Sequence, residues 1–105
     1  METENYFSDM TRGSSALVLH ERDNVGVALS DLKAGDSVTV IEGGGAKYDF
    51  TVSEDIAFGH KFALRALPPE SRVYKYGEEI GRMSSGVDAG GWIHVHNMYC
   101  DRGMK

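Results

Sequence analysis

Apolar residues along this chain fall into short runs separated by glycine, proline and charged clusters. Residues 16–19 (Ala-Leu-Val-Leu) suit a central strand, and the polar stretch 20–24 behind them suits a turn. Residues 25–29 are apolar throughout, and periodicity does not decide between strand and helix there. Residues 32–36 predict a turn, 38–41 a β-branched strand, 43–45 (Gly-Gly-Gly) a hairpin connection, and 48–52 an alternating return strand. Residues 56–58 come next, then 62–67, an alternating strand that Pro68 and Pro69 stop because proline offers no ladder donor. Residues 73–76 read as a strand, 77–79 as a turn, 80–83 as a strand, and 84–90 as a polar connector. Residues 91–97 then alternate Trp92, His94 and His96 against Ile93, Val95 and Asn97, which predicts a strand carrying both imidazoles on one face.

One spacing recurs and bears on the architecture. Leu32, Gly35 and Val38, then Leu67, Glu70 and Val73, then Val87, Gly90 and Ile93 each place an apolar residue, a turn position and a strand-starting aliphatic at three-residue intervals. Physically this is an apolar plug on the core, a tight turn and immediate re-entry into a strand. The pattern predicts a compact all-β domain of many short strands with at most short helical turns. The polar residues 1–15 read as a flexible lead-in, 16–100 as the folded domain and 101–105 as a tail.

Composition narrows the function. At 105 residues with 41% hydrophobic and 26% charged positions the chain is one globular domain with a modest core. A formal charge of −5 argues against nucleic acid or an anionic membrane as partner, since neither gains counterion-release energy from an acidic surface. The single Cys100 leaves no internal disulfide, no apolar run approaches a membrane span, and residues 1–15 lack the apolar core of a secretory signal, so a cytoplasmic setting is expected. The glycines at 43–45 lack the following Lys-Ser/Thr of a phosphate loop, so no nucleotide cofactor is expected.

The sharpest chemistry is the His94-x-His96 pair, whose Cβ atoms on one strand face would lie roughly 6.5–7 Å apart. Two imidazoles so placed can share a divalent metal or grip an anion; equally, they can be the solvated face of a half-buried strand with Ile93 and Val95 packed inward. A third metal ligand would have to come from elsewhere, His60 being the first choice and His20 the weaker one. Lys61 beside His60 can pair with a carboxylate, and Asn97 can hydrogen-bond a carboxylate or hydroxyl.

Asp23-Asn24-Val25, Asp31-Leu-Lys-Ala-Gly35, Gly59-His-Lys-Phe-Ala-Leu-Arg65, Lys75-Tyr-Gly77, Ile80-Gly-Arg82 and His94-Val-His-Asn97 together resemble the amino-terminal SAF domain of the altronate and galactarate dehydratase family, over about residues 16–98. The resemblance implies a β-clip fold, similar to the antifreeze-like domain of sialic acid synthases. It further implies lyase chemistry on sugar acids or other hydroxy-acids, a divalent metal that family members use as iron(II), and a large catalytic subunit as partner. The large catalytic region itself is absent from this chain. On this resemblance His94 and His96 are the expected metal residues, and His60, Lys61, Asn97 and Asn24 the expected substrate contacts. A stand-alone sugar-acid binding module and an assembly domain without chemistry remain alternatives, and the open strand edges of a small all-β domain also allow a homo-oligomer.

Overall fold

Among the described residues, 14–100 of a computed structural model, the chain forms nine strands and no helix. They are β1 (Ser15–Val18), β2 (Val25–Ala28), β3 (Ser37–Glu42), β4 (Lys47–Thr51), β5 (Lys61–Ala63), β6 (Arg72–Lys75), β7 (Glu78–Met83), β8 (Trp92–Ile93) and β9 (Met98–Tyr99). The expected tail and all but Ser14 and Ser15 of the expected lead-in lie outside the described residues. The all-β β-clip architecture of short strands is the one observed.

One sheet runs β4-β3-β1-β2-β5-β8 and the other β6-β7-β9. Every pairing is antiparallel except that of β1 with β3. Of the run at 25–29 that periodicity left open, Val25–Ala28 is strand β2, held between β1 and β5 with all four residues buried, and Leu29 lies beyond it, exposed. A strand covered on both faces shows no alternation, which is why its pattern was mute.

The plug-and-turn spacing read three times in the sequence occurs a fourth time, at Ile56, Gly59 and Phe62, with the same hydrogen bonding. Gly35, Gly59, Glu70 and Gly90 all take positive φ, between 71° and 91°. Their N–H groups donate to the carbonyls of Val52, Ala28, Met83 and Ala63, and each of those residues donates back to the next carbonyl along the turn. The plugs close in pairs, Leu32 with Ile56 and Leu67 with Val87, as short antiparallel bridges. The molecule is thus a doubled unit. β2, the β3–β4 hairpin and β5 make one copy; β5, the β6–β7 hairpin and β8 make the other, with β5 common to both.

Two cores follow from this sharing. Ala16, Val18, Ala28, Leu32, Val38, Val40, Val52, Ile56 and Phe62 form the first, and Val25, Ala63, Leu67, Val73, Met83 and Ile93 the second. Adjacent residues Phe62 and Ala63 therefore face different cores, as alternation along a strand requires. Strand β5 is shorter than the run 62–67 suggested: it ends at Ala63, where the backbone bends toward the Leu67 plug.

Asp23 and Asn24 tie the two sheets together. The Asp23 carboxylate accepts from the N–H groups of Leu19 and His20 at 3.2 Å and, through its other oxygen, from Gly77 N–H at 2.7 Å. The Asn24 side chain donates to the Arg72 carbonyl at 2.8 Å and accepts from Tyr74 N–H at 2.9 Å.

Candidate functional site: imidazoles around Trp92

The fourth turn and strand β8 assemble the site. The turn ending at His60 delivers that side chain immediately before β5, and β8 pairs with β5 so that Trp92 stands opposite Phe62 and Ile93 opposite Lys61. His60 thereby meets the start of the histidine segment. Its ring centre lies 5.8 Å from that of Trp92 and 4.8 Å from that of His94. Trp92 stacks on His94 at 5.4 Å with only 12° between the planes, and lies 4.7 Å from His96. The Trp92 indole N–H donates to His60 Nδ1 at 3.1 Å.

The segment 94–97 corrects the expected strand. Only Trp92 and Ile93 are strand; residues 94–97 form a turn in which Asn97 N–H and Met98 N–H both donate to the His94 carbonyl. The Asn97 side chain closes it, accepting from His94 N–H and donating to the Trp92 carbonyl, both at 2.9 Å. A short amide that satisfies the backbone locally competes with a sheet ladder, and here it wins. Val95, expected on the inner face, is 80% exposed at the tip of the turn. His94 and His96 nevertheless both lie against Trp92.

The expected substrate contacts divide. His60 and Lys61 are half-buried beside the cluster. Asn24 and Asn97 are instead turned into the fold, 2% and 6% exposed, with both ends of each amide bonded to the backbone. Their place is structural because a buried amide needs internal partners. His20 does not join the cluster either: it packs over Gly77 and its Nδ1 accepts from Arg22 N–H at 3.0 Å. An open depression of about 350 Å³ adjoins it, bordered by Glu21, Glu42 and Gly43. Trp92, on which the three imidazoles gather, was not singled out by the sequence reading, although its place in the alternation with His94 and His96 was visible.

Lys61 adds an amine to the imidazoles, in an acidic chain. Loss of water, followed by the nearby His60, Lys61 and His96, holds His94 below its ordinary value of 6.5. Lys61 is likewise lowered, first by burial and then by Lys75 on the other sheet. Among the described residues no carboxylate forms an ion pair with Lys61. An ammonium without a carboxylate partner, beside imidazoles that can donate hydrogen bonds, favours an anionic ligand.

The same arrangement does not fit a metal site by itself. An imidazole ligates through an in-plane nitrogen lone pair, and several must converge on one point. Here the rings pack face toward face, one Nδ1 is taken by an indole, and no group of three or more His, Cys, Asp or Glu suited to a metal occurs among the described residues.

Several known proteins are similar to this chain in sequence. The profile of the altronate/galactarate dehydratase SAF domain matches residues 14–101. Altronate dehydratase of Escherichia coli is 40% identical over 79 residues, which is 75% of this chain but 15% of that enzyme. The (2R)-sulfolactate sulfo-lyase subunit alpha of Chromohalobacter salexigens is 34% identical over 88 residues, 81% of this chain and 94% of that subunit. Its counterpart from Paracoccus pantotrophus is 40% identical over 58 residues, 55% of this chain and 87% of that subunit. By sequence, the chain belongs to the SAF-domain family of altronate and galactarate dehydratases.

Proposed function

We propose that this chain is the small SAF-domain subunit of a hydroxy-acid lyase and works with a separate large catalytic chain. The observation that carries the reading is the match along 94% of a protein that is itself a lyase subunit, against 15% of a full altronate dehydratase. Removing a proton next to a carboxylate and stabilising the resulting enolate needs a base and an electrophile, which this reading assigns to the large chain. Its contribution is to bind and orient. Lys61 offers a point charge to the substrate carboxylate, while His60, His94 and His96 offer imidazole nitrogens to its hydroxyls or anionic groups. The family's divalent metal supplies Lewis-acid stabilisation when bound, and no step of this reading passes through a metal on the present chain.

Purification with and without the large chain, with elimination assayed on altronate, galactarate and sulfolactate, tests the proposal. Activity is expected only with both chains, and a His94→Ala/His96→Ala double change is expected to lower it by about ten- to a hundredfold while assembly persists. Full activity of the lone chain overturns the subunit role, and an undiminished double variant overturns the site. The three imidazoles and Lys61 come together within one chain, which favours a second reading, a stand-alone sugar-acid binding module. Calorimetric binding of galactarate by the isolated chain, with no large chain able to join it, would select that reading.

A further inference from the structure

We infer that Trp92 is a positioning residue: it fixes His60 in the tautomer protonated at Nε2, making His60 a hydrogen-bond donor to a ligand oxygen and excluding it as a metal ligand. An indole N–H only donates, so the atom it meets at 3.1 Å, His60 Nδ1, has to be an unprotonated acceptor. A neutral imidazole carries one proton, which then sits on Nε2. A metal at Nε2 would force that proton to Nδ1 and set two N–H donors against each other across 3.1 Å. A metal at Nδ1 would have to displace the indole.

Neither ring is free to turn away. Trp92 is held in the β5–β8 ladder, its carbonyl accepts from Asn97, and its ring packs on the first core and on His94 and His96. His60 is bonded through its backbone to Ala57 and Ala28, and its ring lies over His94. The arrangement suits a carboxylate, sulfonate or hydroxyl oxygen at Nε2. That ligand role rests on the proposed function; the tautomer does not.

Long-range proton–nitrogen spectra of the uniformly ¹⁵N-labelled chain at about pH 8, where a free imidazole is neutral, decide the matter. The Nε2–H pattern is expected for His60, with a scalar coupling across the hydrogen bond to Trp92 Nε1. Trp92→Phe should abolish the coupling and let both tautomers appear, and zinc(II) added as a diamagnetic probe should leave the wild-type His60 pattern in place. An Nδ1–H pattern, an absent coupling, or zinc captured at His60 overturns the inference, and these wild-type measurements decide it even if Trp92→Phe does not fold. Galactarate is expected to shift the His60 Nε2–H resonance and to bind about tenfold more weakly to Trp92→Phe, the size of a hydrogen bond to a charged group. An unmoved His60 resonance in galactarate, with the tautomer as expected, removes the ligand role along with the function it rests on and leaves the positioning by Trp92 standing.

Discussion

The amide of Asn97 accepts from His94 N–H and donates to the Trp92 carbonyl, and by doing so turns an alternating sequence into a turn. Asn97→Ala removes both bonds and leaves two backbone groups without their partner, so a loss of about 2 kcal/mol is expected in urea denaturation. His96 and Val95 should then become mobile, which amide exchange at 94–97 would register. His94 itself makes stability depend on pH. Its folded value lies below 6.5 through desolvation and then through His60, Lys61 and His96, whereas the unfolded chain titrates at the ordinary value. Below 6.5 the unfolded state therefore holds more protons, and this contribution to stability rises with pH across the window beneath 6.5 and is level above it. Thermal midpoints should fall between about pH 7.5 and pH 5.5, and fall less in His94→Ala; an equal drop in both would remove His94 as the cause. The grouping of side chains at the candidate site was partly legible: His60, Lys61, His94 and His96 lie near one another. The roles of Asn24 and Asn97 were not, because a polar residue that serves the backbone and one that serves a ligand look alike until burial is known. Lys75 beside Lys61 was invisible too, since their approach depends on how the two sheets are tied at Asn24.

Turns of one design, repeated along the chain, set the elements. Each needs a residue at positive φ, but the space around that residue differs. At Gly35 a side chain would meet nothing within 4 Å, so Gly35→Ala adds only the left-handed backbone penalty, about 1 kcal/mol. At Gly90 an added Cβ would sit 2.7 Å from Ser53 N and 2.8 Å from Thr51 O, backbone atoms at the end of β4 that have no side-chain freedom to move aside. Gly90→Ala is therefore expected to cost several kcal/mol, at the severe end of single changes. Comparable melting temperatures for the two variants would show that the β4 end yields. The turn rule was readable in the sequence at Leu32, Leu67 and Val87, and the same rule also fits Ile56, Gly59 and Phe62, the turn that delivers His60. Strand length was less legible: at residues 62–67 alternation continues past Ala63, but the backbone leaves the sheet to seat the Leu67 plug.

Sharing of β5 makes the doubled molecule one cooperative body rather than two half-domains. The first core takes Ala28 and Phe62 from β2 and β5, and the second takes Val25 and Ala63 from the same two strands. Losing either core would uncover one face of both strands and break the Asn24 bonds to Arg72 and Tyr74 that join the sheets. Each core is small, and a domain of this size has only about 5–15 kcal/mol in total, too little to sustain one half with a bared face. Trp92 packs on the first core, whereas Met83 is fully buried in the second. Met83→Ala, expected to cost about 2–5 kcal/mol, should therefore shift the urea transition seen by Trp92 fluorescence by the same amount as that seen by far-ultraviolet circular dichroism. Separated transitions, with the fluorescence midpoint left where it was, would mean that the halves unfold independently and that β5 does not couple them. Coupling also bears on the site: His60 enters from the turn before β5 and His94 from the turn after β8, so the imidazole cluster keeps its geometry only while both cores are intact.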